Sequence, residues 1–561
     1  MNRTVLMVLV AIVVAAGVYR ISILETAAQR AVHLPDLGPV GATLLEGLGD
    51  YSMPVSSDHP EVQRWFDQAL MLTYGFNHDA AERSYLRALE LDPECAMCWW
   101  GAALVLGPHV NAGMDPANHE AAFERIQAAQ TVAAGASERE QAYIAALATR
   151  YTQEPVADRT SLDEAYAMAM GKLVQQYPDD VDAATLYAEA MMNLQPWDFW
   201  HEDGRPKGRT TEIKSVLEAV MTRNPEHAGA LHLYIHAVEA SAQPELGAAA
   251  ADQLRNLIPG SGHLVHMPSH IYARVGRWHD AMQVNQDAIL ADDDYLAACR
   301  PSPGVYPLGY VPHNHHFLWF AATMAGDSET AMSAAEETAA RAGDPNLLRA
   351  PGLDFLQNFV ASPIFAKVRF GQWGEIEALP EPEAELPFLR GVWHYAQALA
   401  ALRSGSDGAV DHHDALAALA SDPVLEEALW FERYPMTYAL GIAERMVAAE
   451  LALAEGDYNA AIAMLEAAAA AEDVLPYDEP PAWHAPVRQT LGAVLLESGQ
   501  PAEAEAAYRA ELRRNPENGW SLLGLKQALQ AQERMDEADA VGQRFQQAWA
   551  HADIALTGSR F

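Results

Sequence analysis

Histidine is concentrated in one part of this chain. Of its 21 histidines, ten lie between His227 and His316, within 90 of the 561 residues, where composition would place three or four. They fall into three groups. "HLYIHAVE" sets His232 and His236 four apart with Glu239 three further on, so the three share one face of a helix. "HLVHMPSH" sets His263, His266 and His270 at i, i+3 and i+7, again one face, with Pro268 making its first part a helix entry. "VPHNHHFLWF" sets His313 and His316 three apart, with Pro312 opening the helix.

Imidazole is the commonest protein ligand for transition metals, and a nearby carboxylate often completes the shell. An ion needs three to six donors converging from different elements, and adjacent antiparallel helices supply them through residues at i, i+3 or i+4. The candidate ligands are His232, His236, Glu239, His263, His266, His270, His313 and His316. Such a donor set suits zinc, copper or iron, and nickel as well. It exceeds the need of one ion, so two ions, or one ion with a second shell, both fit. Glu239 is either a ligand or the general base of a catalytic site with an open coordination position. The competing reading is a hydrogen-bonded polar network that shapes a groove, the role that best fits His227 and His279. HxxxH lacks the glutamate of HExxH, so no zincin signature is present.

Other polar clusters are weaker. "MNLQPWDFWHEDGRPKGRTTEI" places Trp197, Asp198, Trp200, His201, Glu202 and Asp203 before a Gly/Pro/Arg loop, either a lid or an inter-repeat loop. His78 approaches the groove or simply follows Asn77, a turn or cap residue; His109 and Asn111 sit in a glycine-bounded loop. Asp478, Glu479, Trp483, His484 and Arg488 stand at a repeat junction and either read a ligand carboxylate or form a junction salt bridge. No phosphate loop, nucleophile elbow or dinucleotide fingerprint occurs, which argues against a nucleotide-dependent enzyme.

Composition sets the frame. Half the residues are apolar and alternating β-branched runs are rare, which predicts an all-α chain. The net charge of −40 repels nucleic acid and anionic headgroups. Cys95 and Cys98 form a lone C-x-x-C, read as two helix-packing cysteines, with a disulfide or a metal role as the alternative. The N-terminus, "MNRTVLMVLVAIVVAAGVYR", has Arg3 ahead of an apolar run from Val5 to Val18. It reads as a signal peptide or an uncleaved signal anchor, placing the body outside the cytoplasm, membrane-attached or secreted.

A repeat must position these groups. With Trp65 at position 4 of a 34-residue unit, Ala69, Leu72, Ala81, Tyr85, Ala88 and Pro93 fall at 8, 11, 20, 24, 27 and 32. Tyr272, Gly276, Ala281 and Ala288 fit the same register, as do Gly326 with Ala331, Gly456 with Ala461, and Gly492, Leu495, Gly499, Ala504, Tyr508 and Pro516. This resembles the tetratricopeptide repeat. The phrases "FNHDAAERSYLRALELDPECAMCWWG", "LHLYIHAVEAS", "GHLVHMPSHIYARVGRW", "HNHHFLWFAA" and "RNPENGWSLLGL", within residues 65–530, resemble a group of bacterial tetratricopeptide-repeat proteins without a settled activity. The resemblance implies an α-solenoid, a right-handed superhelix of helix–turn–helix repeats whose concave groove seats a protein or peptide partner. The expected layout is 1–24 signal or anchor, 25–57 linker, 58–150 N-terminal repeats, 151–345 the histidine-rich central region and 346–561 C-terminal repeats. Irregular stretches are expected near 106–136, 195–215, 299–313 and 372–388. Two functions follow: a solenoid with a transition-metal site, catalytic or for storage and delivery, or a non-catalytic interaction scaffold.

Overall fold

The computed structural model describes residues 41–301, 304–431 and 433–561. The expected signal or anchor segment lies outside these residues, and so does the linker before residue 41. Among the described residues no helix is long and apolar enough to cross a membrane.

The described chain is a succession of helices with one two-stranded ribbon, Leu429–Trp430 against Tyr434–Pro435. Consecutive helices pack as hairpins, as in Pro60–Tyr74 with His78–Leu91, Val311–Ala325 with Ser328–Ala342, and Val487–Glu497 with Pro501–Arg514. Local chemistry starts and stops them. Asn77, Asp180, Asp327, Asp457 and Asn518 each accept a hydrogen bond from a backbone N–H in the first turn of the helix they precede. Gly276, Gly326, Gly456 and Gly499, all at repeat position 15, turn the chain in the left-handed region at φ 80°, 79°, 79° and 78°. Small residues allow close helix approach: Ala69, Ala81 and Ala88 are fully buried. A Cβ on Gly492 would lie 2.4 Å from the Tyr508 ring.

Three sequence readings need correction. Cys95 and Cys98 are joined by a disulfide at the entry to the Ala96–Leu104 helix, rather than packing as free thiols. The stretch 106–136 holds a full helix, His119–Val132, because Ala122, Ile126 and Ala129 form an apolar stripe that buries. In 372–388 a short helix, Trp373–Glu377, precedes the irregular run.

The array winds tightly enough that distant repeats touch. Pro60–Tyr74 packs on Ala228–Glu239. Arg274 donates to the Arg514 carbonyl, Trp278 to that of Pro516 and Trp520 to that of Thr323. Tyr477, in the loop before Val487–Glu497, reaches Glu239. Residues 41–57 carry no helix and pack on the array, with Met53 buried and Gly260 N–H bonded to the Gly47 carbonyl. The interior of the winding is thus filled by the protein's own side chains, histidines among them.

Candidate metal centre

Four helices bring the histidines together: Ala228–Glu239, Gly262–His266, Pro268–Arg274 and Val311–Ala325. Met267 keeps helical angles between the two short ones, so His263, His266 and His270 stay on one face despite Pro268. His232, His236, His263, His266 and His270 are all at most 2% exposed; His313 is partly exposed.

Two triads result. Donor atoms of His232, His236 and His263 lie within 4.8 Å of one another, and so do those of His266, His270 and His313. His232 Nε2 stands 3.2 Å from His263 Nε2, His266 Nε2 2.7 Å from His270 Nε2, and His313 Nε2 3.1 Å from His266 Nε2. Two ligands on one tetrahedral ion with bonds of 2.0–2.1 Å are about 3.3 Å apart.

The outward nitrogens explain why the inward ones meet. His232 Nδ1–H donates to the Tyr74 carbonyl at 2.6 Å. His236 Nδ1–H donates to Glu239 Oε1 at 2.8 Å, and His270 Nδ1–H to Glu239 Oε2. His266 Nδ1–H donates to Asn285 Oδ1 at 2.6 Å, an oxygen fixed as acceptor because the same amide's nitrogen donates to the Ala281 carbonyl. A carbonyl, a carboxylate and an oriented amide oxygen can only accept. All four rings therefore carry a proton on Nδ1, and burial keeps His232, His236 and His266 neutral, so each of these three turns a lone pair inward on Nε2, the tautomer that outer partners impose on metal-ligating histidines. Burial, the largest cause, holds His232, His263, His266 and His313 well below the usual imidazole range, and lowers His236 although Glu239 opposes it. Proton sharing does not satisfy the cluster: His236 Nε2 and His263 Nδ1 remain buried without a partner among the described residues.

Glu239 is fully buried. Burial alone would raise its carboxyl, but His270 and His236 hold it down, to about 2. The hydroxyl of Tyr477 also donates to it, at 3.3 Å. Both oxygens are engaged by ring N–H groups, so the geometry makes Glu239 the acceptor that orients one ring of each triad.

His316 is not brought in. Its ring packs 5.1 Å from those of Trp319 and Phe359. Phe317, four residues after His313, faces the centre instead, 5.2 Å from His266 and 5.4 Å from His270. His78 bonds the Val105 carbonyl and pairs with His109 behind Phe76, while Asn77 caps its helix as read. His227 caps the Ala228–Glu239 helix and meets Asp182, and His279 stacks on His551 at the surface. Arg488 pairs with Asp473, and Arg433 with Asp478.

Several contributors went unread. Tyr74 acts through its backbone, which no side-chain pattern reveals. Asn285 and Tyr477 are distant in sequence. Glu479, a repeat-junction residue in the sequence, lies 3.8 Å from His270 Nδ1; burial, then Glu239 and Asp478, push its carboxyl well up. Phe76 carried a legible signal: it occupies repeat position 15, where other copies have glycine. It adopts φ 56° and puts its ring 4.4 Å from that of His232. Trp197, at φ 63°, lies 5.2 Å from His236. The loop it belongs to is pinned by Trp200, whose indole donates to the Ala237 carbonyl.

Asp292 braces the two halves from behind. It accepts from the Tyr306 hydroxyl and from Asn314, while Tyr306 Oη accepts the His263 backbone N–H. A Cβ on Gly262 would lie 2.0 Å from its carboxylate, so that helix start admits only glycine.

No family model and no curated protein matches this chain. Solved structures to which it is similar include "Human IFIT1 dimer with m7Gppp-AAAA", at 14% identity over 88% of this chain and 91% of that one, with TM-score 0.32. Another is "Crystal structure of APC/C hetero-tetramer Cut9-Hcn1", at 14% identity over 91% and 81%, with TM-score 0.30. Similarity at this level carries no argument about the site or its chemistry.

Proposed function

We propose that this protein is a helical-repeat solenoid that binds a transition metal, zinc, copper or iron, through histidines gathered inside the winding. The observation that supports the reading most is the tautomer lock. Four buried rings donate Nδ1–H to acceptor-only partners, which leaves the Nε2 atoms gathered inside as the ones that a cation would take. His232, His236, His263, His266, His270 and His313 are the ligands, and Glu239 orients two of them. Three imidazoles leave an ion short of the four ligands of a closed structural site, so an open position for water, oxygen or substrate supports a catalytic role. The Cys95–Cys98 disulfide supports residence in an oxidising compartment such as the periplasm.

The test is metal analysis by mass spectrometry of the full chain, purified without a histidine tag, beside a His232→Ala/His266→Ala variant. Stoichiometric metal lost in the variant is the expected result. No metal in the parent protein, even after reconstitution, would overturn the reading and return the protein to an interaction scaffold whose groove takes a protein or peptide.

A further inference from the structure

The two triads stand side by side and are fastened together. Ring centroids of His236 and His270 are 5.7 Å apart, and those of His263 and His266 are 6.0 Å apart. Glu239 holds one ring of each triad through its two oxygens. Asp292 ties the backbone of His263 to the His313 helix through Tyr306 and Asn314. The spacing between the triads is therefore fixed from both sides.

We infer that the centre holds two copper ions, one in each triad, which bind a dioxygen molecule between them. The inference rests on the metal reading above and adds the number of ions, their identity and their ligand.

Two ions are needed because the six imidazoles form two groups of three; a third grouping, His236 and His270 with Glu239, takes one ring from each, and its carboxylate oxygens are already engaged by their Nδ1–H groups. Ligands on one ion are at most about 4.2 Å apart for bonds of 2.0–2.1 Å, so one ion cannot span both triads. Copper follows from donors and charge. Each triad offers three imidazoles with neither thiolate nor carboxylate among them, a set that suits copper. Two divalent ions would bring four positive charges into a buried space, and uncompensated charge there is costly. The carboxylates nearest the rings are Glu239 and Glu479. Glu239 touches a ring of each triad, so a cuprous pair leaves less unmatched positive charge than two divalent ions would, and copper(I) is content with three ligands. Glu479 Oε2 is buried without a partner among the described residues, a second sign that this space is built to face positive charge. Asp478 beside it is already matched by Arg433.

Dioxygen follows from the open positions. Triads whose rings stand 5.7 and 6.0 Å apart would make the two ions neighbours, and two-metal sites about 3.5–4 Å apart share a bridging ligand. Phe76, Trp197, Tyr310 and Phe317 wall the rings, so the shared ligand is small. Each copper(I) gives one electron, dioxygen takes both and becomes a peroxide bound between two copper(II) ions. No proton moves, and release of dioxygen restores both electrons.

The test loads metal-free full-length protein with copper(I) under argon, counts copper per chain, then admits air. The readouts are quantitative electron paramagnetic resonance and the near-ultraviolet peroxide-to-copper charge-transfer band. The expected result is two equivalents, little resonance signal because the copper(II) ions are coupled, and a band that fades when oxygen is removed. His232→Gln and His313→Gln, one in each triad, should each retain one equivalent and show no band. One equivalent in the parent protein, or two that give full resonance intensity as isolated ions, or two without the band, would overturn the inference and leave the metal reading standing. No copper, zinc or iron bound would remove both.

Discussion

Replacing Glu239 with glutamine tests the tautomer lock most directly. The carboxylate accepts from His236 Nδ1–H with one oxygen and from His270 Nδ1–H with the other. Glutamine keeps one oxygen and sets an NH2 group against the second ring. Two donors then face each other, and that ring relaxes by moving its proton to Nε2, the atom that should bind the ion. One triad thus loses a donor while the other keeps its clamp. Removing an outer partner of a ligating histidine typically costs 10–100-fold in metal affinity, so one equivalent should weaken by at least about that factor and the other by less. The metal-free protein should lose roughly 2–3 kcal/mol, since hydrogen bonds to a charged group contribute about 1.5–3 kcal/mol. Chelator competition gives the affinities and denaturant unfolding the stability. Glu450→Gln is the control: this buried carboxylate accepts from Arg403 and Arg560 and belongs to neither triad. It should lower stability without touching the metal. Equal metal affinity in parent and Glu239→Gln, or equal weakening in both variants, would refute the reasoning.

Three further outcomes follow from the same structure. Gly492→Ala places a Cβ 2.4 Å from the Tyr508 ring, and overpacking of this kind should cost about 1–3 kcal/mol, read as a lower thermal midpoint. Phe76→Gly relieves about 1–2 kcal/mol of left-handed strain but forfeits a buried phenyl worth about 3–5 kcal/mol, so denaturant unfolding should show a net loss of roughly 1–4 kcal/mol. Asp292 is pushed up to about 7 by burial, so the folded metal-free protein keeps a proton that the unfolded chain releases above about 4. Its stability should fall as pH rises from about 4 to 7 and level off beyond, by up to about 3 kcal/mol between pH 5 and 8; Asp292→Asn should abolish that fall in denaturant midpoints taken at the two pH values.

What the sequence disclosed follows from where each signal is stored. His232, His236 and Glu239 lie on one helix, so helical spacing alone set them on one face. His263, His266 and His270 survived the proline between them because Met267 stays helical. His316 failed the same reasoning. At i+3 it stands about 60° around the helix from His313, against about 40° for i+4, and Phe317 takes the inward place while His316 packs on Trp319 and Phe359. Partners supplied by the closing of the winding, such as the Tyr74 carbonyl, Asn285 and Tyr477, are invisible to any local pattern.

Phe76 links the repeat to the centre. At position 15 a turn needs left-handed backbone, and Gly276, Gly326, Gly456 and Gly499 adopt it without penalty. In the first repeat the same turn is made by a phenylalanine, at a cost of about 1–2 kcal/mol. A residue that only had to turn the chain would be glycine there. The ring lies between His109 at 4.7 Å and His232 at 4.4 Å, with His263 at 5.4 Å. Trp197, the other left-handed aromatic against the cluster, covers His236 from the opposite side of the sequence. Backbone strain at both contacts is offset by what the rings do: they keep water from the inward nitrogens, so the lone pairs gathered there find no solvent donor. Holding imidazoles facing one another at that cost favours the proposed cation site over a groove for a peptide.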